Sequence, residues 1–556
     1  MWRKALSLVA AIFMFIFLSS TQWGAMTHAQ DAAPASGEPS SPAEDVRTAP
    51  DLSPLAHTET KLLQETPTNN QKFGTVVDIY GNYAIVGSQH EEASIYQWNG
   101  SSWVLVETKQ NPGSTSNFGK AVAINNSYAV IGADGDESSP GAVYIYERLG
   151  EDWSYMDTIT PTNGLAEYLF GQTVAISGEF IAIGAPGDNE VGNGNGAVYV
   201  YTRLLNAWVL FKKLIVSNST KLHLGRSVDI DGNRVVAGNN GEAYVFEHDN
   251  GIWDAPMPLT PPETVDGNYG ISVSISGGDA VVGSPMDNQV ANDAGAVYLF
   301  RLSNGNWDFN TKLIALDTAN VDHFGQSVDM DGRYIIVGAD DDDNAMGVGA
   351  GTAYIFRQEN GSWVERSKLT ASDGADGARL GSAVAVSNYR VLVGAPFADG
   401  ENTGQSGSAY VFALDFAPTV DVRANGQAET AVVPAGSGTT FSATIDPGTK
   451  TGQQAEWWVG LSTPVGTLWK NSNGWTPSIT PVMLTQSPLP ATWSLDVPLN
   501  LPASTYTLFV VLDTNINGVM DSTWTGSATS VVLPAGANAE VTMNDILAEL
   551  MPAISK

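Results

Sequence analysis

The chain has 556 residues, with 26 basic against 59 acidic side chains, a net charge of −33, and no cysteine. That charge excludes nucleic acid and anionic membrane surfaces as natural partners. The lack of thiols excludes a disulfide framework, a thiolate metal site, a cysteine nucleophile and a lipid anchor on an N-terminal cysteine.

At the N-terminus, Arg3 and Lys4 precede an apolar stretch over residues 5–18, and small and polar residues then lead to Thr27-His28-Ala29. A basic start, a short apolar run and a small-residue cleavage site predict a signal peptide over residues 1–29. The run is short for a membrane span, so no stable membrane insertion is expected after cleavage. An exported protein in the periplasm, at the cell surface or in the medium is the expectation. Residues 30–57 are rich in Ala, Pro, Ser and acids with no apolar period, the composition of a disordered linker.

From residue 58 one pattern recurs seven times. Each copy opens with a large apolar residue and Gly: Phe73-Gly74, Phe118-Gly119, Phe170-Gly171, Leu224-Gly225, Tyr269-Gly270, Phe324-Gly325 and Leu380-Gly381. A short apolar run follows (VVDI, AVAI, TVAI, SVDI, SVSI, SVDM, AVAV), then a tight turn, then a second run ending in Gly. A loop and a third run follow, for example VYVYT and VYLFR. A fourth run is marked by Trp103, Trp153, Trp208, Trp253, Trp307 and Trp363. Runs of this length, rich in Val, Ile, Tyr and Phe and bounded by Gly, Asn and Asp, predict strands. A period of roughly 45 to 55 residues is a repeat architecture, because one such unit cannot bury its own apolar faces. Each unit is therefore a four-stranded antiparallel blade. The seventh lacks its Trp strand, while Lys61-Leu62-Leu63 stands unpaired ahead of the first. Residues 58–416 are read as an all-β, seven-bladed propeller closed by its N-terminal strand, which removes the open edges.

These residues resemble the FG-GAP repeats, best known from the propeller of integrin α subunits, here in a bacterial exported form. The Phe-Gly openings and the strand ends Gly184-Ala185-Pro186 and Gly394-Ala395-Pro396 carry the likeness. The resemblance implies a propeller and, with it, a binding or adhesion role. Integrin blades commonly carry a calcium loop between their first two strands. Here that connection is a tight turn, as in Asp229-Ile230-Asp231-Gly232-Asn233 and Asp329-Met330-Asp331-Gly332. Asp229 and Asp329 are expected to be solvated or to mark strand ends.

Past residue 416 the repeat stops. Short alternating segments predict an Ig-like β-sandwich over residues 417–548, with a tail at 549–556. Within it, Asp513, Asn515, Asn517 and Asp521 follow the D-x-N-x-N-G-x-x-D spacing of a calcium loop, with Gly518 at the bend and Trp524 where the usual last acid would stand. The same residues also make an Asx-rich hairpin turn around Asn517-Gly518. Calcium is the one cofactor with a place in the sequence.

No catalytic constellation emerges. The histidines stand singly, and Ser227, Ser272 and Ser327 occupy one repeat position, which suits a structural hydroxyl rather than three nucleophiles. A propeller hydrolase or lyase using channel carboxylates is the lesser reading, and a structural envelope or matrix component is the alternative. In a meander the loops between strands two and three share one face with the interblade links. Those loops are long and acidic, with Asp134, Asp136, Asp188, Glu190, Asp287, Asp293, Asp340, Asp342, Asp399 and Glu401 as the candidate ligand-facing residues. The expected protein is a monomer that recognises a protein or glycan through that face. If the 513–521 loop holds calcium, millimolar calcium should raise the unfolding temperature and Asp513→Ala should abolish the rise; a turn gives no shift.

Overall fold

The computed structural model describes residues 56–415, apart from loop positions 67–68, 90, 137–138, 162–164, 166–167, 191–193, 218–222, 250, 266–267, 333, 360 and 399–403. Beyond these it describes the backbone of ten strands between residues 419 and 532. No α-helix occurs among the described residues.

Seven antiparallel sheets follow one another. Blade one is Val76–Tyr80, Tyr83–Gly87, Glu92–Trp98 and Trp103–Gln110. Blades two, three, five and six repeat the same order of four strands. Blade four departs from it. Its outer strand is broken into Ile252–Trp253 and Met257–Pro258, both paired with Ala243–Asp249. Pro256 and Pro258 lack the N–H that an unbroken ladder requires, so the strand marked by Trp253 is only a fragment of the expected one. Blade seven takes its outer strand from Ala56–Leu62, which pairs with Ser408–Asp415 in the register Lys61 to Tyr410 and Leu62 to Ala409.

Among the described residues of the propeller the apolar core forms seven clusters, and each draws on two neighbouring blades. The cluster at the closing seam joins Leu62, Phe73, Val86 and Tyr96 to Leu392 and Val411. The opening residue of every repeat is 2 % exposed or less. Most of these rings meet a third-strand Tyr edge-on, as in Phe170 with Tyr199 and Phe324 with Tyr354, the favoured aromatic geometry.

The glycines of the two motifs explain why the repeat is written as it is. Within a blade, the first Gly donates its N–H to the carbonyl of the Gly ending the second strand, as in Gly74 to Gly87, Gly225 to Gly238 and Gly381 to Gly394. Between blades, that first Gly turns its own carbonyl onto the Cα of the previous blade's second-strand Gly. The seven contacts are Gly87 with Gly119, Gly132 with Gly171, Gly184 with Gly225, Gly238 with Gly270, Gly283 with Gly325, Gly338 with Gly381 and Gly394 with Gly74. A Cβ at any of these second-strand glycines would overlap the neighbouring carbonyl oxygen. The first-motif glycines also hold φ between +88° and +95°, where other residues are strained.

The serines at the single repeat position are structural. The hydroxyls of Ser227, Ser272 and Ser327 donate to the carbonyls of Gly270, Gly325 and Gly381 at 2.7–2.8 Å, and Thr173 does the same to Gly225 at 2.9 Å.

In the C-terminal region, Thr419–Ala424, Thr439–Asp446 and Trp493–Leu499 form a three-stranded sheet. A larger second sheet is centred on Gln454–Thr463 paired with Thr505–Asp513. Of the calcium-loop positions, Asn515, Asn517 and Asp521 lie outside the described residues, and Asp513 is described only as the end of a strand.

Because the seams leave no room for a methyl group, Gly394→Ala at the closing seam should destabilise the fold by roughly 1–3 kcal/mol. Gly404→Ala, where nothing lies within 4 Å, should leave the urea midpoint unchanged.

Candidate functional site: the long-loop face

The loops between strands two and three emerge with the interblade links on one face, and their acids do not all face outward. Of the ten expected ligand-facing side chains, Asp134, Asp188, Asp287, Asp340 and Asp342 are buried. Asp136 and Glu190 are exposed and Asp293 is half-buried, while Asp399 and Glu401 lie outside the described residues.

The buried ones are held by a device repeated in three blades. After the second strand the chain reverses, and the N–H groups of Asp188, Asp287 and Asp342 donate to the carbonyls of Ala185, Ser284 and Ala339. This turn aims each carboxylate at the third strand of its own blade. Asp188 accepts from the Tyr199 hydroxyl at 2.6 Å and pairs with Lys213 at 2.8 Å. Asp287 accepts from Tyr298 at 2.6 Å and pairs with Lys312 at 3.1 Å. Asp342 accepts from Tyr354 at 3.3 Å and pairs with Lys368 at 2.8 Å. Each ammonium also lies 5.1–5.2 Å from the centre of its Tyr ring, a cation–π contact. Burial and then the Asp188 carboxylate hold the Tyr199 phenol far above its ordinary range, so it stays a donor. Glu190 also pairs with Lys213.

The acids of the links behave alike, and they reach across a seam. Asp317, which follows the outer strand of blade five, accepts from Tyr354 at 2.9 Å and Lys368 at 2.7 Å in blade six. Asp373 spans from blade six to Tyr410 at 2.8 Å and Lys61 at 2.6 Å in blade seven. Glu263 reaches Tyr298 and Lys312 at 3.2 and 3.3 Å. Against the opposing effect of burial, these hydrogen bonds from Lys and Tyr hold the Asp317 and Asp373 carboxyls below the usual range.

The acidic run at 340–343 is dispersed among partners. The His323 imidazole lies 3.6 Å from Asp340 and 3.5 Å from Asp341, and the Asp340 carboxylate leads in pushing it up. Arg379 stands 3.9 and 3.6 Å from the same two carboxylates. Asp343 accepts from the Gly349 N–H. Among the described residues no group of three or more His, Asp or Glu side chains is placed to hold a metal ion. Elsewhere on this face, Asn117 donates to Asp134 at 2.9 Å, and Ser116 donates to Asp136 at 2.7 Å.

Blades one and four have only four residues between their second and third strands, and blade four alone also has a broken outer strand. Its second and third strands are joined by the tight turn Asn239-Asn240-Gly241-Glu242, in which the Glu242 N–H donates to the Asn239 side chain at 2.8 Å. Between this turn and the link to blade five lies a cavity of about 290 Å³, lined by Glu242, Tyr244, Pro258, Pro261, Glu263 and Tyr269 among others. Tyr269 is buried and donates to the Leu259 carbonyl at 2.7 Å. Tyr244 donates to Glu242 at 2.9 Å and is half-buried. Two carboxylates and no basic side chain line the cavity. The sequence reading missed this place; its signal was a short loop, shared with blade one, together with Pro256 and Pro258 in the outer strand.

A third feature corrects an expectation. Asp229 and Asp329 are half-buried and stand in the middle of their strands, not at strand ends. With Asp78 they sit at one position of the inner strands, lining the channel, and each accepts a backbone N–H from the inner strand of the next blade: Asp78 from Ile124, Asp229 from Ile275 and Asp329 from Val386, at 2.7–2.8 Å. The run VVDI, read as a short apolar strand, also clamps one blade to the next through its Asp.

Close glycine seams, buried aromatic openings and a strand-swapped closure define a seven-bladed propeller. Five segments, residues 109–146, 153–201, 258–300, 307–356 and 363–412, match the family described as FG-GAP repeat. The propeller contains FG-GAP repeats in these five segments. The unmatched stretch between 201 and 258 contains the first three strands of the divergent blade four. No curated protein matches the sequence. Among solved structures, the Saccharomyces cerevisiae Sqt1 crystal structure is similar over 63% of this chain and 97% of that chain, at 12% identity and a TM-score of 0.34.

The Tyr354 hydroxyl serves both Asp317 and Asp342, so Tyr354→Phe should cost about 1.5–3 kcal/mol at neutral pH. The Asp317 carboxyl is lowered on folding, so its contribution is present above the ordinary value of 3.8 and is lost as pH falls through the lowered one. Urea midpoints should therefore show a smaller cost of the substitution at strongly acidic pH.

Proposed function

We propose that this is an exported, non-catalytic binding protein that engages a protein or glycan through the long-loop face of its propeller, with the blade-four cavity as the anchoring point. The observation that carries this reading is the cavity itself. There a short turn and a broken outer strand leave an opening walled by Tyr, Pro and Glu side chains in place of the Asp–Tyr–Lys device of blades three, five and six. Its volume suits one sugar ring or one side chain of a protein partner. Exposed Asp136 and Glu190 would form part of the surrounding rim. An enzyme is disfavoured because both carboxylates of the cavity are already engaged, Glu242 by Tyr244 and Glu263 by Tyr298 and Lys312.

The signal-like N-terminus supports export to the periplasm, surface or medium. Alternating segments support an Ig-like sandwich in the C-terminal region, where the 513–521 loop is the proposed place for calcium. A monomer suits a ring whose edges are already used in closure.

Binding is tested by glycan arrays and surface-protein capture with the mature chain. Tyr244→Ala and Glu242→Ala should weaken capture about tenfold or more, equivalent to about 1.4 kcal/mol, with unchanged unfolding temperature. Leu205→Asp, at a side chain 93 % exposed on the opposite hairpin face, should leave it intact. The reverse pattern would move the site to the hairpin face.

A further inference from the structure

The third residue of each inner-strand run stands at one level of the channel: Asp78, Ala123, Ala175, Asp229, Ser274, Asp329 and Ala385 in order around the ring. Three consecutive blades, four to six, thus carry Asp, Ser and Asp. The Ser274 hydroxyl oxygen lies 2.8 Å from Asp229 Oδ2 and 3.0 Å from Asp329 Oδ1, and it also receives the Met330 N–H at 3.2 Å.

A serine hydroxyl has one proton to give and two lone pairs. Here one lone pair takes the Met330 N–H, and the single proton can go to only one carboxyl. The remaining contact is a hydrogen bond only if the other carboxyl is protonated and donates. The surroundings decide which one. Asp229 accepts the Ile230 N–H at Oδ1 at 2.7 Å and the Ile275 N–H at Oδ2 at 2.8 Å, the pattern that stabilises an ionised carboxylate. Asp329 accepts the Val386 N–H at Oδ2, whereas its Oδ1 meets Ser274 alone.

We propose that Asp329 is protonated at neutral pH and donates from Oδ1 to Ser274, which in turn donates to ionised Asp229, so that one proton latches blades four, five and six together. Loss of that proton would set two negative carboxylates against one hydroxyl in a narrow channel, and only one of them could be satisfied. The groups facing the latch reinforce it. Burial, then the Asp229 charge and later that of Asp78, push the Asp329 carboxyl well above the usual range. Burial also raises Asp229, opposed by its three donors and aided by Asp231. Asp78 across the channel is pushed up to about 7, by burial first. Asp231 and Asp331, at the hairpin ends of the same strands, accept the N–H groups of Gly277 and Asn388. The strand of Ser274 carries no titratable side chain, nor does Ala383–Ser387 beyond it. Lys120, the only cationic side chain on the seven inner strands, acts on Asp134.

The folded protein therefore holds a proton that the unfolded chain releases near 3.8. The stability this contributes is complete below that value and is lost as pH rises through the raised value in the folded state. The test uses the whole mature chain. Unfolding midpoints are followed from mildly acidic to alkaline pH for wild type, Asp329→Asn, Asp229→Asn and Ser274→Ala, and infrared difference spectra are taken at neutral pH. Asn at 329 can donate to Ser274 and accept from Val386, so Asp329→Asn should fold and should remove about one proton's worth of the alkaline loss of stability. It should also remove a protonated-carboxyl band from the wild-type spectrum. Asp229→Asn puts an amide where only acceptors fit and should be the weaker protein at every pH. Ser274→Ala should steepen the loss at alkaline pH. Equal behaviour of the two Asn variants, failure of Asp329→Asn to fold, or a difference spectrum without that band would each overturn the assignment.

Discussion

The contact on which the structure depends is a glycine carbonyl resting on a glycine Cα. It occurs at all seven seams, and it sets how closely one blade can lie against the next. A ring of seven closes only if every seam has nearly the same spacing, because errors of one sign would accumulate at the last one. The seven apolar clusters, the Ser and Thr hydroxyls and the buried aromatic openings are all built around that separation. The final seam, Gly394 on Gly74, is of the same kind, and the swapped strand Ala56–Leu62 lies outside it as the outer edge of the same blade.

The heavy acidic load of the chain is distributed between two environments with opposite consequences. On the long-loop face, Asp317 and Asp373 are ionised partners of Lys and Tyr from the next blade, and they favour the folded state once the pH is above the carboxylate range. In the channel, Asp78, Asp229 and Asp329 are crowded among backbone donors with no cation; burial pushes all three up, and three donors oppose it at Asp229. The first set weakens the ring in strong acid and the second weakens it as the pH rises. Mildly acidic solution, between 3.8 and about 7, satisfies both.

This arrangement also bears on function. Charge that is consumed in holding blades together is not offered to a partner, so an acidic loop is a poor guide to a binding surface until its hydrogen bonds are known. Asp188 and Asp287 are the clearest cases, since each is surrounded by the Tyr and Lys of its own blade. The departure of blade four is more informative. Where the turn is short and the outer strand is broken by proline, the rim opens into a cavity whose walls are Tyr, Pro and Glu. A rigid ring with such an opening is suited to recognition, because the partner meets a surface already formed.

The amino-acid sequence by itself determined the strands, the number of blades and the closure, because these follow from local chemistry repeated with a fixed period. Glycine, aromatic and β-branched residues mean the same thing in each copy. It also showed that Ser227, Ser272 and Ser327 share one structural position. Which acids are buried was decided only by the tertiary structure. Asp188 meets Lys213, twenty-five residues away, and Asp317 meets Lys368, fifty-one residues away and in the next blade. Asp229 and Asp329 read as ordinary polar residues on their strands until the ring brings Ser274 between them. Periodicity records what each blade does for itself, whereas the partner of a charge depends on which blade comes next and how closely it lies.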